Sequence, residues 1–139
     1  MSFKIVGRYI KKIDFNIPNN KTFFLLAQDI ANYKINIDIK SEQIKEKLLE
    51  VQTTLSLLPK DNKIEKIETK VIYSSIIELD KKIDNKKDIE RIILVDVPTK
   101  IYPELRRIFV FIFESSGFRD IKISEAIDFQ KLYNLKKVQ

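Results

Sequence analysis

Residues 3–17 read Phe3-Lys4-Ile5-Val6-Gly7-Arg8-Tyr9-Ile10-Lys11-Lys12-Ile13-Asp14-Phe15-Asn16-Ile17, and this stretch decides the fold class. Phe3, Ile5, Tyr9, Ile13, Phe15 and Ile17 fall on odd numbers, whereas Lys4, Arg8, Lys12, Asp14 and Asn16 fall on even ones. A period of two predicts a strand with one dry and one wet face. Pro18, which has no ladder donor, ends it together with Asn19 and Asn20, which tolerate turn geometry.

Three more segments repeat the pattern. Tyr33, Ile35, Ile37 and Ile39 alternate with Lys34, Asn36, Asp38 and Lys40, predicting a strand over 33–41. Leu49, Val51, Thr53, Leu55 and Leu57 predict another over 48–58, stopped by Pro59, with Asp61-Asn62 as turn residues. A fourth, over 64–78, carries Ile67, Val71, Tyr73 and Ile77. Between the first two strands, residues 18–32 hold Phe23, Phe24, Leu25 and Leu26 without alternation, which reads as a crossover loop with an apolar tip. One apolar and one polar face per strand describes an antiparallel sheet covered on one side, here with a basic outer face.

From Asp88 the period changes. Asp88 can cap a short helix over 88–97 containing Ile89, Ile92, Ile93 and Leu94. Pro98 and Pro103 then read as breaks, with Pro103 opening a helix over 103–116 that Gly117 closes in a left-handed cap. A last helix over 128–136 starts at Asp128 and carries Phe129, Leu132, Tyr133 and Leu135, with Lys131, Lys136 and Lys137 favouring its C-terminal dipole. The expected fold is therefore α+β, one domain over 1–139: a four-stranded antiparallel sheet with C-terminal helices packed on one face.

The middle helix has Tyr102, Leu105, Ile108, Phe109, Val110, Phe111, Ile112 and Phe113 around most of its axis, so burial on two sides is expected. Strands of about 13 residues span about 43 Å, but a helix of about 15 residues covers only about 22 Å. On that reading the chain cannot roof its own sheet, and the remaining apolar surface must meet other polypeptides.

Composition narrows the chemistry. The 139 residues include no His, Cys or Trp, so the usual proton shuttle, thiolate nucleophile and zinc ligands are missing. No enzyme activity, cofactor or metal is expected. Glu104 beside Arg106 and Arg107, and the acids Glu42, Glu46 and Glu50, read as solvated charges. With no signal-like N-terminus and no long apolar run, a cytoplasmic chain without membrane insertion is expected. The 26 Lys+Arg against 20 Asp+Glu give a formal charge of +6. Arg8, Lys12, Lys34, Lys40 and Lys70 could form a nucleic-acid surface, but no aromatic platform interleaves with them, which makes nucleic acid the lesser reading.

Three segments in order resemble the SecB family of bacterial protein-export chaperones. The first is Gly7-Arg8-Tyr9-Ile10-Lys11-Lys12-Ile13-Asp14-Phe15-Asn16-Ile17-Pro18-Asn19, similar to the family's first strand with its Pro-Asn ending. The second is Val97-Pro98-Thr99-Lys100-Ile101-Tyr102-Pro103-Glu104-Leu105-Arg106, similar to the family's Cys-Pro and Leu-Phe-Pro-Tyr-Ala-Arg run. The third is Gly117-Phe118 followed by Ile127-Asp128-Phe129-Gln130-Lys131-Leu132-Tyr133, similar to its Gly-Phe and Pro-Asn-Phe ending.

The resemblance implies an ATP-independent holdase that binds unfolded polypeptides in apolar grooves and hands them to the motor SecA; some relatives instead guard an antitoxin. It implies a homotetramer, a dimer of dimers with long helices between two eight-stranded sheets. Client-binding candidates are Phe23, Phe24, Leu25, Leu26 and Tyr33 around the crossover, with Ile101 and Tyr102 at the start of the main helix. Thr69, Val71, Tyr73, Phe109 and Phe113 are the candidate oligomer-interface residues. Where the family docks the SecA tail through carboxylates, this chain has Lys12, Asn16 and Lys70, which puts ordinary SecA docking in doubt. The family's Gly pair in the fourth strand reads Ser74-Ser75, and its Cys is Val97.

Overall fold

The computed structural model describes residues 2–30, 33–60, 67–118 and 121–138, with the side chains of residues 29 and 136–138 outside that description. The proposed turn Asp61-Asn62 and the side chains of Lys136 and Lys137 therefore lie outside the described residues.

Four strands, β1 (Phe3–Asn16), β2 (Tyr33–Lys45), β3 (Leu48–Pro59) and β4 (Glu68–Leu79), form one antiparallel sheet in the order β1-β4-β3-β2. Three hairpin-linked strands with a long return beside the last make a Greek key. β1 and β2, consecutive in sequence, thus lie at opposite edges of the sheet. The β2–β3 hairpin is closed through Lys47 at φ 64, a left-handed position that the tight turn imposes on an ordinary side chain. Inward residues Val51, Leu55, Val71 and Ile77 are almost fully buried, and Leu49 and Leu57 nearly so.

The segment joining β1 to β2 differs from the expected loop. It contains helix α1 (Asn20–Asp29), capped by Asn19, whose Oδ1 accepts from the Thr22 N–H at 2.8 Å. Its four apolar residues in a row lack strand alternation because they wrap a helix: Leu26 is 1 % exposed, Phe23 is half-buried, and Phe24 and Leu25 face out.

The prolines do not break the main helix. Helix α2 (Lys86–Arg91), a π-helical turn (Ile92–Asp96) and helix α3 (Val97–Ser115) follow one another without interruption. The first cap is Asn85, which accepts from the Lys87 N–H, so the helix starts before Asp88. Pro98 is the second residue of α3, directly after the π-helical turn. Just before it, the Val97 N–H reaches the Ile92 carbonyl five residues back, the wider spacing of a π turn. Pro103 is inside α3. The run of 6, 5 and 19 residues is about 45 Å long at about 1.5 Å per residue, comparable to the strands. The chain therefore roofs the middle of its own sheet, contrary to the length argument from sequence, which rested on two broken helices.

α3 packs on β3 and β4 through Ile101, Leu105, Phe109 and Phe113, none more than 1 % exposed. It ends in the expected glycine cap: Gly117 has φ 97, and the Phe118 N–H returns to the Phe113 carbonyl at 3.0 Å. Phe15, Phe113, Phe118 and Phe23 then stack in sequence, with ring centroids 5.1, 5.8 and 4.9 Å apart, tying β1, α3 and α1 together. The last helix, α4 (Phe129–Val138), has the Asp128 carboxylate accepting from the Lys131 N–H at 2.9 Å.

The parity of β1 is the other departure. Its register against β4 slips between Ile5 and Gly7 and between Ile10 and Lys12. Each extra residue flips the faces, so Phe3, Ile5, Arg8, Ile10, Ile13 and Phe15 lie opposite the inward residues of β4, while Tyr9 turns outward opposite Ser74. The apolar even-numbered residues Val6 and Ile10 were the sequence signal for this slip.

Candidate functional site: an apolar track along an edge strand

β2 is an edge strand, and its inward side chains are Tyr33, Ile35, Ile37 and Ile39 in succession. They line two neighbouring cavities. One, of about 470 Å³, is bounded by Ile30, Tyr33, Ile35, Leu57, Lys60, Ile121, Lys122 and Ile123. The other, of about 250 Å³, is bounded by Ile37, Ile39, Leu94, Phe129, Leu132, Tyr133 and Leu135. The two are therefore offset by about four strand residues, or about 13 Å.

Helix α3 contributes no described lining residue to either cavity but holds their far walls in place. Tyr102 Oη donates to the Ser124 carbonyl at 2.7 Å, and Arg106 Nε donates to the Ile123 carbonyl at 3.1 Å. These bonds hold the 121–124 segment over the first cavity. Burial raises the Tyr102 hydroxyl pKa, which keeps it protonated and donating. Tyr102 also meets Phe129 edge-on at 6.0 Å, and with Val95 and Tyr133 they anchor α4 beside the second cavity. Leu132 and Leu135 on α4 are 46 % and 54 % exposed, so the second cavity is open to solvent through an apolar rim.

The sequence-predicted binding residues divide accordingly. Phe24 and Leu25 are exposed on α1, and Tyr33 lines the first cavity. Phe23 packs on Phe118. Leu26, Ile101 and Tyr102 are buried inside the chain, so they pack and position rather than offer an open surface. Reading sequence around the crossover missed the Ile35, Ile37 and Ile39 row, although the strand alternation already placed those three on one face.

Thr69, Val71 and Tyr73 of β4 and Phe109 and Phe113 of α3, expected at an oligomer interface, are all buried within a single chain, because α3 lies on the sheet. The exposed apolar side chains of β1 and α3 include instead Val6, Ile10, Ile13 and Phe111, at 51 %, 46 %, 45 % and 65 % exposure.

The outer sheet face is a mixture of charges. Lys12 and Lys70 both approach Asp14, at 3.4 and 3.7 Å, Lys4 pairs with Glu78 at 3.6 Å, and Asn16 lies opposite Glu68. Arg8 lies on the other face, near enough to Glu104 to help lower its carboxyl pKa, whose main cause is the Arg107 hydrogen bond. The five-residue basic surface suggested by the sequence is thus split and partly neutralised. Glu50, read as a solvated charge, is the hub of a network: its Oε2 accepts from Tyr9 Oη and Ser74 Oγ, both at 2.7 Å, and from Gln52 Nε2 at 3.2 Å, with Lys11 Nζ at 3.9 Å. Ser74, where the family resemblance leads one to expect Gly, is what anchors that network.

No helix among the described residues is long and apolar enough to cross a membrane. Compared with known proteins, the whole chain, residues 1–139, matches the family described as preprotein translocase subunit SecB. It is 39 % identical over 132 residues to a putative protein-export protein SecB of Pelagibacter ubique, covering 95 % of this chain and 94 % of the relative. It is 29 % identical over 139 residues to the protein-export protein SecB of Burkholderia vietnamiensis, covering 99 % and 84 %. Among solved structures, its fold is similar to a Mycobacterium tuberculosis SecB-like chaperone in complex with a ChAD peptide from the HigA1 antitoxin, with TM-score 0.63, 8 % identity and coverage of 88 % and 90 %. With the Greek-key sheet, the long roofing helix and the three sequence segments in place, these matches establish that the chain belongs to the SecB family of protein-export chaperones.

Proposed function

We propose that this chain is an ATP-independent cytoplasmic holdase that binds extended, unfolded segments along the inner face of β2. The observation that carries this reading is the pair of apolar cavities in line beneath one edge strand. An unfolded client exposes apolar side chains, and each 100 Å² of apolar surface it buries contributes about 2.5 kcal/mol with little demand on sequence. Extended backbone fits because alternate client side chains can enter successive cavities.

Assembly completes the surface in this reading. Ile10, Ile13 and Phe111 would be covered by further copies, as a tetramer requires. Delivery to SecA through the ordinary docking surface is disfavoured, because Lys12 and Lys70 share Asp14 where the family has carboxylates. An antitoxin client is the second reading. The mycobacterial neighbour has such a peptide, but it shares the fold alone, whereas the relatives spanning nearly the whole chain are export proteins.

The test is suppression of aggregation of a denatured client without nucleotide. Equimolar protein is expected to suppress it, and the pair Leu132→Ser and Leu135→Ser, made at exposed positions on the rim, to lose at least about half of that protection. Full protection by this variant would rule the track out.

A further inference from the structure

The two cavities differ in charge. Among the described lining residues, the second has no ionisable group other than the Tyr133 phenol, whereas the first has Lys60 and Lys122 beside Tyr33 and five aliphatic side chains and has no carboxylate. Lys60 follows the last residue of β3, and Lys122 belongs to the 121–124 segment held down by Tyr102 and Arg106. The two cations therefore come from separate elements and converge on one apolar opening. Both side chains are exposed at its rim, so each can keep its charge hydrated while its methylene stem extends the apolar wall.

We propose that the first cavity selects client segments in which an apolar anchor is flanked by Asp or Glu, a preference that rests on the holdase reading above. The second anchor, about four residues away along an extended backbone, faces the cavity whose described lining carries no charge and has no such preference. The track is thus directional. An acidic flank placed at the Tyr33 end meets two lysines, and the same flank at the Leu132 end meets, among the described lining residues, apolar side chains and the Tyr133 phenol. A basic flank at the Tyr33 end meets like charge, which weakens capture there.

The selectivity is of modest size. Each exposed ion pair contributes little and is screened by salt, so two lysines give about a five-fold preference for the acidic over the neutral peptide at low ionic strength. The experiment uses fluorescence anisotropy with full-length protein and three labelled ten-residue peptides. All have the same two apolar anchors four residues apart, and the first anchor is flanked by Asp, Gln or Lys. The expected order of affinity is Asp, then Gln, then Lys, converging in 1 M salt.

In the variant Lys60→Glu with Lys122→Glu the order is expected to invert. The variant Lys81→Glu with Lys82→Glu, which changes net charge equally at a distant site, is expected to keep it. Binding of all three peptides with equal affinity overturns the charge selectivity and leaves the holdase track standing. The same order in the Lys60/Lys122 variant also overturns it, because the preference would then come from net charge. Absence of binding by every peptide removes the track and the selectivity together.

Discussion

Replacing Glu50 by Gln keeps the shape of the side chain and one acceptor oxygen but removes the charge on which Tyr9, Ser74, Gln52 and Lys11 converge. A hydrogen bond to a charged acceptor contributes about 1.5–3 kcal/mol, and a neutral one about 0.5–1.5 kcal/mol. With two short bonds each weakened by about 1 kcal/mol and a half-exposed Lys11 adding little, Glu50→Gln should cost about 2 kcal/mol. The cost depends on pH. Ser74 and Tyr9, donating to the carboxylate, hold the Glu50 pKa below its reference value of 4.5. A carboxyl depressed in the folded state stabilises fully above its unfolded pKa, and that contribution is lost as pH falls through the folded value. Urea unfolding at one fixed protomer concentration should therefore show the gap between the two proteins at pH 7 and its closure on acidification below about 4.5. Equal midpoints at pH 7, or a gap undiminished at pH 3, would refute the network's role. The stakes extend to assembly, because the network fixes the outward turn of Tyr9, and with it the inward turn of Ile10 on the edge strand.

Gly117→Ala should destabilise by about 1–2 kcal/mol, since its φ of 97 disfavours an L side chain and the new Cβ would sit 3.4 Å from the Phe23 ring; a thermal midpoint equal to wild type would contradict this. Ile13→Lys with Phe111→Glu should reduce the mass measured by light scattering to that of one chain while leaving the circular dichroism spectrum intact, and an unchanged mass would place the contact between copies elsewhere.

Much of the fold was legible because strand alternation is a local property. Tyr33 to Ile39 and Leu49 to Leu57 alternate without fault, and in both strands the observed faces follow the parity of the sequence. The helix prediction failed where a local rule met a tertiary remedy. Pro98 and Pro103 ordinarily interrupt a helix, but the π turn before Pro98 and the burial of Ile101 and Leu105 against the sheet keep this one continuous. The role of Glu50 was hidden for a similar reason, because Tyr9 lies 41 residues away from it in sequence and Ser74 lies 24 away.

The amino-acid sequence by itself determined four amphipathic strands, a glycine-capped apolar helix and, through its motifs, the family, because hydrophobic period and capping chemistry act over a few residues. Tertiary structure alone decided which of those apolar residues remain available for another chain. Whether Ile101 or Ile37 faces a groove depends on where α3 and α4 come to rest over the sheet, and that position is set by packing between elements distant in sequence.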